Sequence, residues 1–200
     1  MQMRNFALAS TMLSFCTLTG FGGHEGDFEV GIDPQLNQVK IEFDPNLFPW
    51  LLPPSEWPAA IGFALDDPGF VSLEPNEVIP GVFELLNPDA LIALRVVATN
   101  SPEMKIWNPV GPGEPGFKIL GDDLWTIGSQ PFDDHPVWHI DTADPAYHPG
   151  HSPWAVSFQL VDLAGHHLES DVVTVTYTPE PAASALLALA TLGFGARRRS

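Results

Sequence analysis

Short runs in which apolar and polar residues alternate fill most of this chain of 200 residues. Val39, Ile41 and Phe43 alternate with charged residues, which is the period-two pattern of a strand with one buried face. The runs 154–161 and 171–178 alternate in the same way. The pattern predicts further short strands at 28–33, 61–65, 70–73, 81–86, 91–99, 104–107 and 117–120.

Turn-forming residues separate these runs about every ten residues. The chain holds 21 prolines and 17 glycines, which favours many turns over long helices. Residues 44–58 are proline-rich and are predicted to form a long ordered loop without a regular element, and residues 108–116 a Pro/Gly loop. Many short strands joined by turns indicate an all-β domain, an antiparallel β-sandwich.

Both ends of the chain depart from this pattern. Arg4 followed by an apolar stretch at 6–18 is typical of a secretory signal peptide, so residues 1–22 are predicted to form a signal helix that signal peptidase removes between Thr19 and Gly23. Residues 182–194 are uncharged and rich in Ala and Leu. A helix of this length spans about 20 Å, which is short for a permanent membrane anchor.

The C-terminal tail follows Pro179 and Pro181 and ends in three arginines at 197–199. The prolines prevent upstream extension of a helix, and the arginines favour the cytoplasmic side. The tail is therefore predicted to form a short hydrophobic helix that inserts transiently in the inner membrane; an Ala/Leu helix packed on the domain is the alternative. The organisation is a signal peptide at 1–22, a β-sandwich domain at 23–178 and a sorting segment at 179–200.

Pro179-Glu180-Pro181, the short apolar span and the terminal arginines resemble the PEP-CTERM sorting signal of Gram-negative and planctomycete-type bacteria. The resemblance implies that an exosortase-type enzyme recognises Pro179, Glu180 and Pro181 and processes the protein at the membrane. It implies an exported protein at the cell surface or in the extracellular matrix, as in biofilms.

The amino-acid composition limits the classes of molecule that this protein can bind. The net charge is −17, which argues against nucleic acid and anionic membrane surfaces. The only cysteine, Cys16, lies in the predicted signal peptide, so the exported domain has no disulfide. Lipidation of Cys16 requires a small preceding residue, whereas Phe15 is large.

The histidines are the candidate metal-binding residues of the sequence. Four of them, His135, His139, His148 and His151, fall within one short stretch, and His24 with Asp27 lies near the start of the domain. Imidazole and carboxylate groups together can bind zinc or manganese. These six residues form a predicted metal site; histidines of a surface loop making ordinary hydrogen bonds are the alternative.

The middle of the chain resembles the surface-anchored "choice-of-anchor" β-domains of exported bacterial proteins. The residues that carry this resemblance are His24-Glu25-Gly26-Asp27, His135-Pro136-Val137-Trp138 and the run 154–160. Some of those domains are suspected of binding metal. The second strand here lacks the His-x-His that the family shows, since residues 38–43 contain no histidine.

Catalytic motifs are absent from the sequence. It contains no Gly-x-Ser-x-Gly, P-loop, Gly-x-Gly-x-x-Gly or His-Glu-x-x-His. We expect a non-enzymatic protein that interacts with extracellular polymers at the cell surface, with exopolysaccharide as a candidate partner. A metal-binding module is the first alternative, and a carbohydrate-binding module using tryptophans in Pro-rich loops is the second.

Overall fold

The computed structural model describes residues 26–111, 114–119 and 124–181. These residues form an all-β structure of thirteen strands in three sheets. Their only helical pieces are two short 3₁₀ turns, Pro45–Leu47 and Pro149–His151. The predicted signal helix and C-terminal hydrophobic helix lie outside the described residues.

The strands follow the chain in short segments, as the alternation of apolar residues predicts. In order they are β1 (Phe28–Asp33), β2 (Gln38–Glu42), β3 (Trp50–Leu52), β4 (Gly62–Leu65), β5 (Phe70–Ser72), β6 (Ile92–Thr99), β7 (Met104–Gly111), β8 (Glu114–Ile119), β9 (Leu124–Gly128), β10 (Asp133–Asp134), β11 (Val137–Asp141), β12 (Trp154–Asp162) and β13 (Val173–Pro179).

The three sheets have the strand orders β10-β5-β1-β2, β4-β11-β7-β8 and β3-β13-β12-β6-β9. Two strand pairs, β1 with β5 and β13 with β3, are parallel, and the remaining pairs are antiparallel. The sequence predicts a uniformly antiparallel arrangement, and these two pairs differ from it. Each parallel pair joins strands far apart in sequence, because parallel neighbours need a long crossover connection.

Three local predictions of secondary structure are wrong. Residues 44–58 contain β3, which is an edge strand, where flanking prolines are tolerated. The predicted loop 108–116 is largely strand, because β7 and β8 continue through irregular pairings around Pro109. Residues 81–86 form no regular strand, only isolated bridges beside the turn at Gly81, whose φ is 78°.

One hydrophobic core receives side chains from all three sheets. At its centre the Phe28 ring contacts Phe70 at 5.1 Å and Phe158 at 5.3 Å between ring centroids. Trp138 stacks on Tyr177 at 5.3 Å. Aromatic pairs at these distances add packing energy beyond the burial of their area, so the core is well suited to a domain without disulfides.

The last strand extends into the predicted sorting segment. Pro179 belongs to β13 and is aligned with Leu52 of β3, and the Glu180 N–H donates to the Leu52 carbonyl at 2.8 Å. Glu180 and Pro181 are exposed. Among the residues that the structure describes, no helix has the length and apolar character needed to cross a membrane.

Candidate metal centre

Three short segments meet at one end of the strands β1, β5 and β10 in the first sheet. Phe70 of β5 is aligned with Phe28 of β1 on one side and with Asp134 of β10 on the other. This register brings together the residues just outside the strand ends. Asp27 precedes β1, Asp67 lies in the β4–β5 loop, and His135 follows β10.

These three side chains form a compact group of metal-binding type. One ligand atom from each of Asp27, Asp67 and His135 lies within 4.8 Å of the other two. The Nδ1 atom of His135 is 3.2 Å from Asp67 Oδ1. Its Nε2 atom is 3.0 Å from Asp133 Oδ1. We call Asp27, Asp67 and His135 the His135 cluster.

The loop that carries Asp67 is held in place from several sides. The Gly69 N–H donates to Asp27 Oδ1 at 2.6 Å, and the Trp138 indole N–H donates to the Pro68 carbonyl at 2.9 Å. A Cβ atom at residue 69 would lie 2.5 Å from the His135 ring. Glycine is therefore required at 69 for the imidazole to pack against this backbone.

A backbone oxygen also faces the imidazole. His135 Nδ1 is 2.8 Å from the Asp66 carbonyl oxygen, so both ring nitrogens lie beside oxygen acceptors. An imidazole that donates from both nitrogens carries a positive charge. Without a metal ion, the His135 ring thus suits the protonated form.

The electrostatics of this group follow from several carboxylates around one imidazole. Partial burial lowers the pKa of His135, but the hydrogen bond to the Asp66 carbonyl and the Asp27 and Asp133 carboxylates outweigh it, so the pKa is raised. Burial, together with the charges of Asp27 and Asp66, raises the pKa of Asp67, against an opposing effect of His135. The carboxyl groups repel one another and favour an additional cation.

Two of the six predicted metal ligands, Asp27 and His135, are brought together. Asp67 completes the group and was not among the predicted ligands. A turn of the form Asp-Asp-Pro-Gly gives no signal of its partners, because those depend on the register of three strands. His24 lies outside the described residues, so its part in the site remains a prediction.

His139 lies in a different environment. It is buried in β11, its Nδ1 accepts from the Trp107 indole N–H at 2.9 Å, and its Nε2 is 3.1 Å from the Ile61 carbonyl. Burial lowers the pKa of His139. Both nitrogens are engaged in hydrogen bonds of the neutral ring, which leaves no lone pair for a metal ion.

His148 and His151 lie together at the second 3₁₀ turn, with ring centroids 5.5 Å apart. His148 Nδ1 accepts from the Gly150 N–H at 3.0 Å. His151 Nδ1 is 2.6 Å from Oε1 of Glu103, which also accepts from the Trp154 indole N–H at 3.2 Å. Among the described residues, neither histidine joins a group of three metal-binding side chains.

Glu103 is a completely buried carboxylate. Burial would raise the pKa of Glu103, yet hydrogen bonds, those of His151 and Trp154 among them, outweigh it and hold the pKa at about 2. Glu103 is therefore ionised at all ordinary pH values, and its role is to hold the 148–151 turn against the core. We call Glu103 and His151 the Glu103 pair.

The tryptophans give little support to a sugar-stacking surface. Trp125, Trp138 and Trp154 are buried in the core, and Trp50, Trp57 and Trp107 are partly buried. These positions place all six tryptophans in or against the hydrophobic clusters, and a carbohydrate-binding role based on them remains a prediction. No known family model, curated protein or solved structure matches this chain.

Proposed function

We propose that this chain is an exported, non-enzymatic protein of the cell surface or extracellular matrix whose β-sandwich domain binds a divalent cation through Asp27, Asp67 and His135. One observation carries the proposal: donors from three separate segments converge within 4.8 Å. Carboxylate and imidazole are ligands that manganese and zinc accept.

The immediate surroundings support a specific ligand set. A cation beside His135 Nδ1 replaces the proton there and lies next to Asp67 Oδ1 and the Asp66 carbonyl oxygen. Nε2 then keeps its proton and donates to Asp133. A metal-bound histidine commonly donates its other N–H to a carboxylate, which fixes the ring orientation.

The cation-binding part of the proposal is tested by titrating the full chain with Mn²⁺ and measuring free Mn²⁺ by electron paramagnetic resonance. We expect one bound ion, with affinity reduced on the order of 100-fold in His135→Gln, because a direct ligand is lost. His166→Gln is the matched control, since His166 lies exposed in the turn after β12. Absence of binding, or equal losses in both variants, contradicts the proposal.

Export rests on the two terminal segments of the sequence. Signal peptidase acts at the N-terminus, and an exosortase-type enzyme acts on Pro179, Glu180 and Pro181 after transient insertion of the tail in the inner membrane. The exposure of Glu180 and Pro181 is compatible with access by such an enzyme.

Processing is tested in a bacterium that carries an exosortase, by the mass of the mature chain. Glu180→Ala is expected to leave the tail uncut, whereas Glu169→Ala, a change of the same type in the folded domain, is expected to be processed normally. An unshortened chain in both cases contradicts the assignment of the tail as a sorting signal.

A further inference from the structure

A lysine and two aspartates form a further charged group on the sheet that contains β7 and β11. Lys105 of β7 donates from Nζ to Asp141 Oδ2 at the end of β11. The same Nζ lies 3.0 Å from Asp144 Oδ2. The exposed fractions of the side chains are 13% for Lys105, 17% for Asp141 and 19% for Asp144. Lysine is rarely so enclosed unless it is paired, and here two carboxylates share it.

The strand register places the lysine beside Asp141. Lys105 is aligned with His139, and the Asp141 N–H donates to the Glu103 carbonyl at 2.9 Å. Asp141 therefore lies diagonally across from Lys105 on one face of the sheet. Diagonal neighbours are about 7–8 Å apart at the backbone, within reach of a long side chain. The contact thus follows directly from the pairing of β7 with β11.

The turn after β11 fixes the orientation of both carboxylates. The Ala143 N–H donates to Asp141 Oδ1 at 2.9 Å. The Ala146 N–H donates to Asp144 Oδ1 at 2.9 Å. Each carboxylate has one oxygen held by the backbone and the other oxygen directed at Lys105 Nζ. An amine, a carboxyl carbon and a backbone donor on the carboxyl oxygen are the parts that acyl transfer requires.

The amine must lose its charge before it can act as a nucleophile. Burial lowers the pKa of Lys105, but the hydrogen bonds and charges of Asp141 and Asp144 outweigh it and raise the pKa. The resting form is therefore an ion pair. Asp144 Oδ2 contacts Nζ and can accept a proton from it. This transfer turns two charges into neutral groups, which an enclosed site favours more than water does.

We infer that Lys105 and Asp141 form an intramolecular isopeptide bond that covalently links β7 to β11. Nζ attacks Cγ of Asp141, and the Ala143 N–H stabilises the negative charge that develops on Oδ1. Nζ loses two protons, which Asp144 carries to Asp141 Oδ2, and Oδ2 leaves as water. An N–C bond replaces one C–O bond without any oxidation or reduction. The inference does not depend on the proposed cation site.

Such a bond suits a domain that contains no cysteine. The only cysteine of the chain, Cys16, lies in the predicted signal peptide. Lys105 and Asp141 are 36 positions apart in the sequence. A cross-link over that distance restricts the unfolded chain as a disulfide would. The isopeptide bond therefore supplies the covalent restraint that paired cysteines supply in other exported domains.

Mass spectrometry of the denatured full chain tests the inference. We expect the wild-type protein to be lighter by one water than the mass calculated for its termini. Protease digestion should release one branched peptide that contains both Lys105 and Asp141. A wild-type chain at its full calculated mass overturns the inference. A loss of water without the branched peptide also overturns it, because ring closure at a single aspartate releases water too.

A lysine variant identifies the nucleophile. Lys105→Arg keeps the positive charge but cannot form this amide, so it should have its full calculated mass. Lys40→Arg, in the more exposed ion pair with Glu42, is the matched control and should keep the loss of water. A loss of water that persists in Lys105→Arg, or that disappears equally in both variants, overturns the inference.

An aspartate variant tests the proton transfer. Asp144→Asn should leave most molecules at their full mass, because an amide side chain cannot carry the protons from Nζ to Oδ2. Asp89→Asn, at an exposed position outside the group, should behave as the wild-type chain does. Complete bond formation in Asp144→Asn overturns the role of Asp144 in the reaction.

Discussion

Two regions of this molecule pair a histidine with carboxylates in opposite ways. In the His135 cluster one imidazole faces Asp27 and Asp67, and the adjacent Asp133 contacts its other nitrogen. All of these groups lie near the surface. In the Glu103 pair one imidazole faces one carboxylate, which is completely buried. The number of carboxylates and their burial thus differ between the two regions.

This difference distinguishes the proposed cation site from a structural contact. In the Glu103 pair a single histidine and the Trp154 N–H share one oxygen of the buried carboxylate, which ties the 148–151 turn to the core. In the His135 cluster the carboxylates lie near the surface, where solvent can supply the cation that we propose. Histidines that lie close together in the sequence therefore occupy two different environments.

The largest expected effect concerns the Glu103 pair. Glu103→Ala leaves the buried Trp154 N–H without its acceptor and should lower the free energy of unfolding by about 3 kcal/mol, because a buried donor is left unsatisfied. Urea denaturation measures the loss. Glu169→Ala, which removes the exposed partner of Arg95, should cost less than about 1 kcal/mol. Similar losses would mean that Glu103 is not structural.

Acid should weaken the same pair. The folded pKa of Glu103, about 2, lies below the ordinary value of 4.5. Its contribution to stability is therefore complete above about pH 4.5 and is lost as the pH falls towards 2. Between these values, urea midpoints should fall more steeply for the wild-type chain than for Glu103→Gln. Parallel slopes would contradict this assignment.

Substitutions in the His135 cluster should change the affinity for a cation. Asp67→Asn should weaken Mn²⁺ binding on the order of 100-fold, at the upper end of the losses known for groups around a metal. Stability should change little, since the side chain is 56% exposed. Calorimetric titration, with Asp89→Asn at an exposed position outside the cluster as the control, measures the effect. A loss in Glu103→Gln of equal size would erase the distinction between the two regions.

The smallest effect is expected at Asp133, which acts on the cation through His135. Asp133→Asn should weaken Mn²⁺ binding by about tenfold, because the imidazole loses its orienting carboxylate. The nitrogen hyperfine signal of bound Mn²⁺ should change as the ring orientation relaxes, which a general loss of charge would not produce. An unchanged signal with unchanged affinity would remove Asp133 from the site.

The sequence predicted much of the fold, because most strands are long enough for their apolar alternation to be read. β1, β2, β6, β12 and β13 lie close to their predicted ranges. β3 and β10, with three and two residues, are too short to show any period. The two parallel pairs were also missed, since local patterns carry no information about which distant strands become neighbours.

The candidate site was predicted in part for the same reason. Histidine and aspartate are recognisable by type, so Asp27 and His135 were named from the sequence. Asp67 was not, because its place beside them depends on the alignment of Phe28, Phe70 and Asp134. His139, His148 and His151 have the same chemistry, yet their hydrogen bonds direct them to other partners.

The sequence by itself determined the all-β class, the acidic surface and the absence of disulfides in the domain, because these follow from residue types and their local period. Only the tertiary structure decided which acids surround which histidine. Strand register and burial act over distances that no local pattern encodes. For that reason one histidine contacts a buried carboxylate and another lies among carboxylates near the surface.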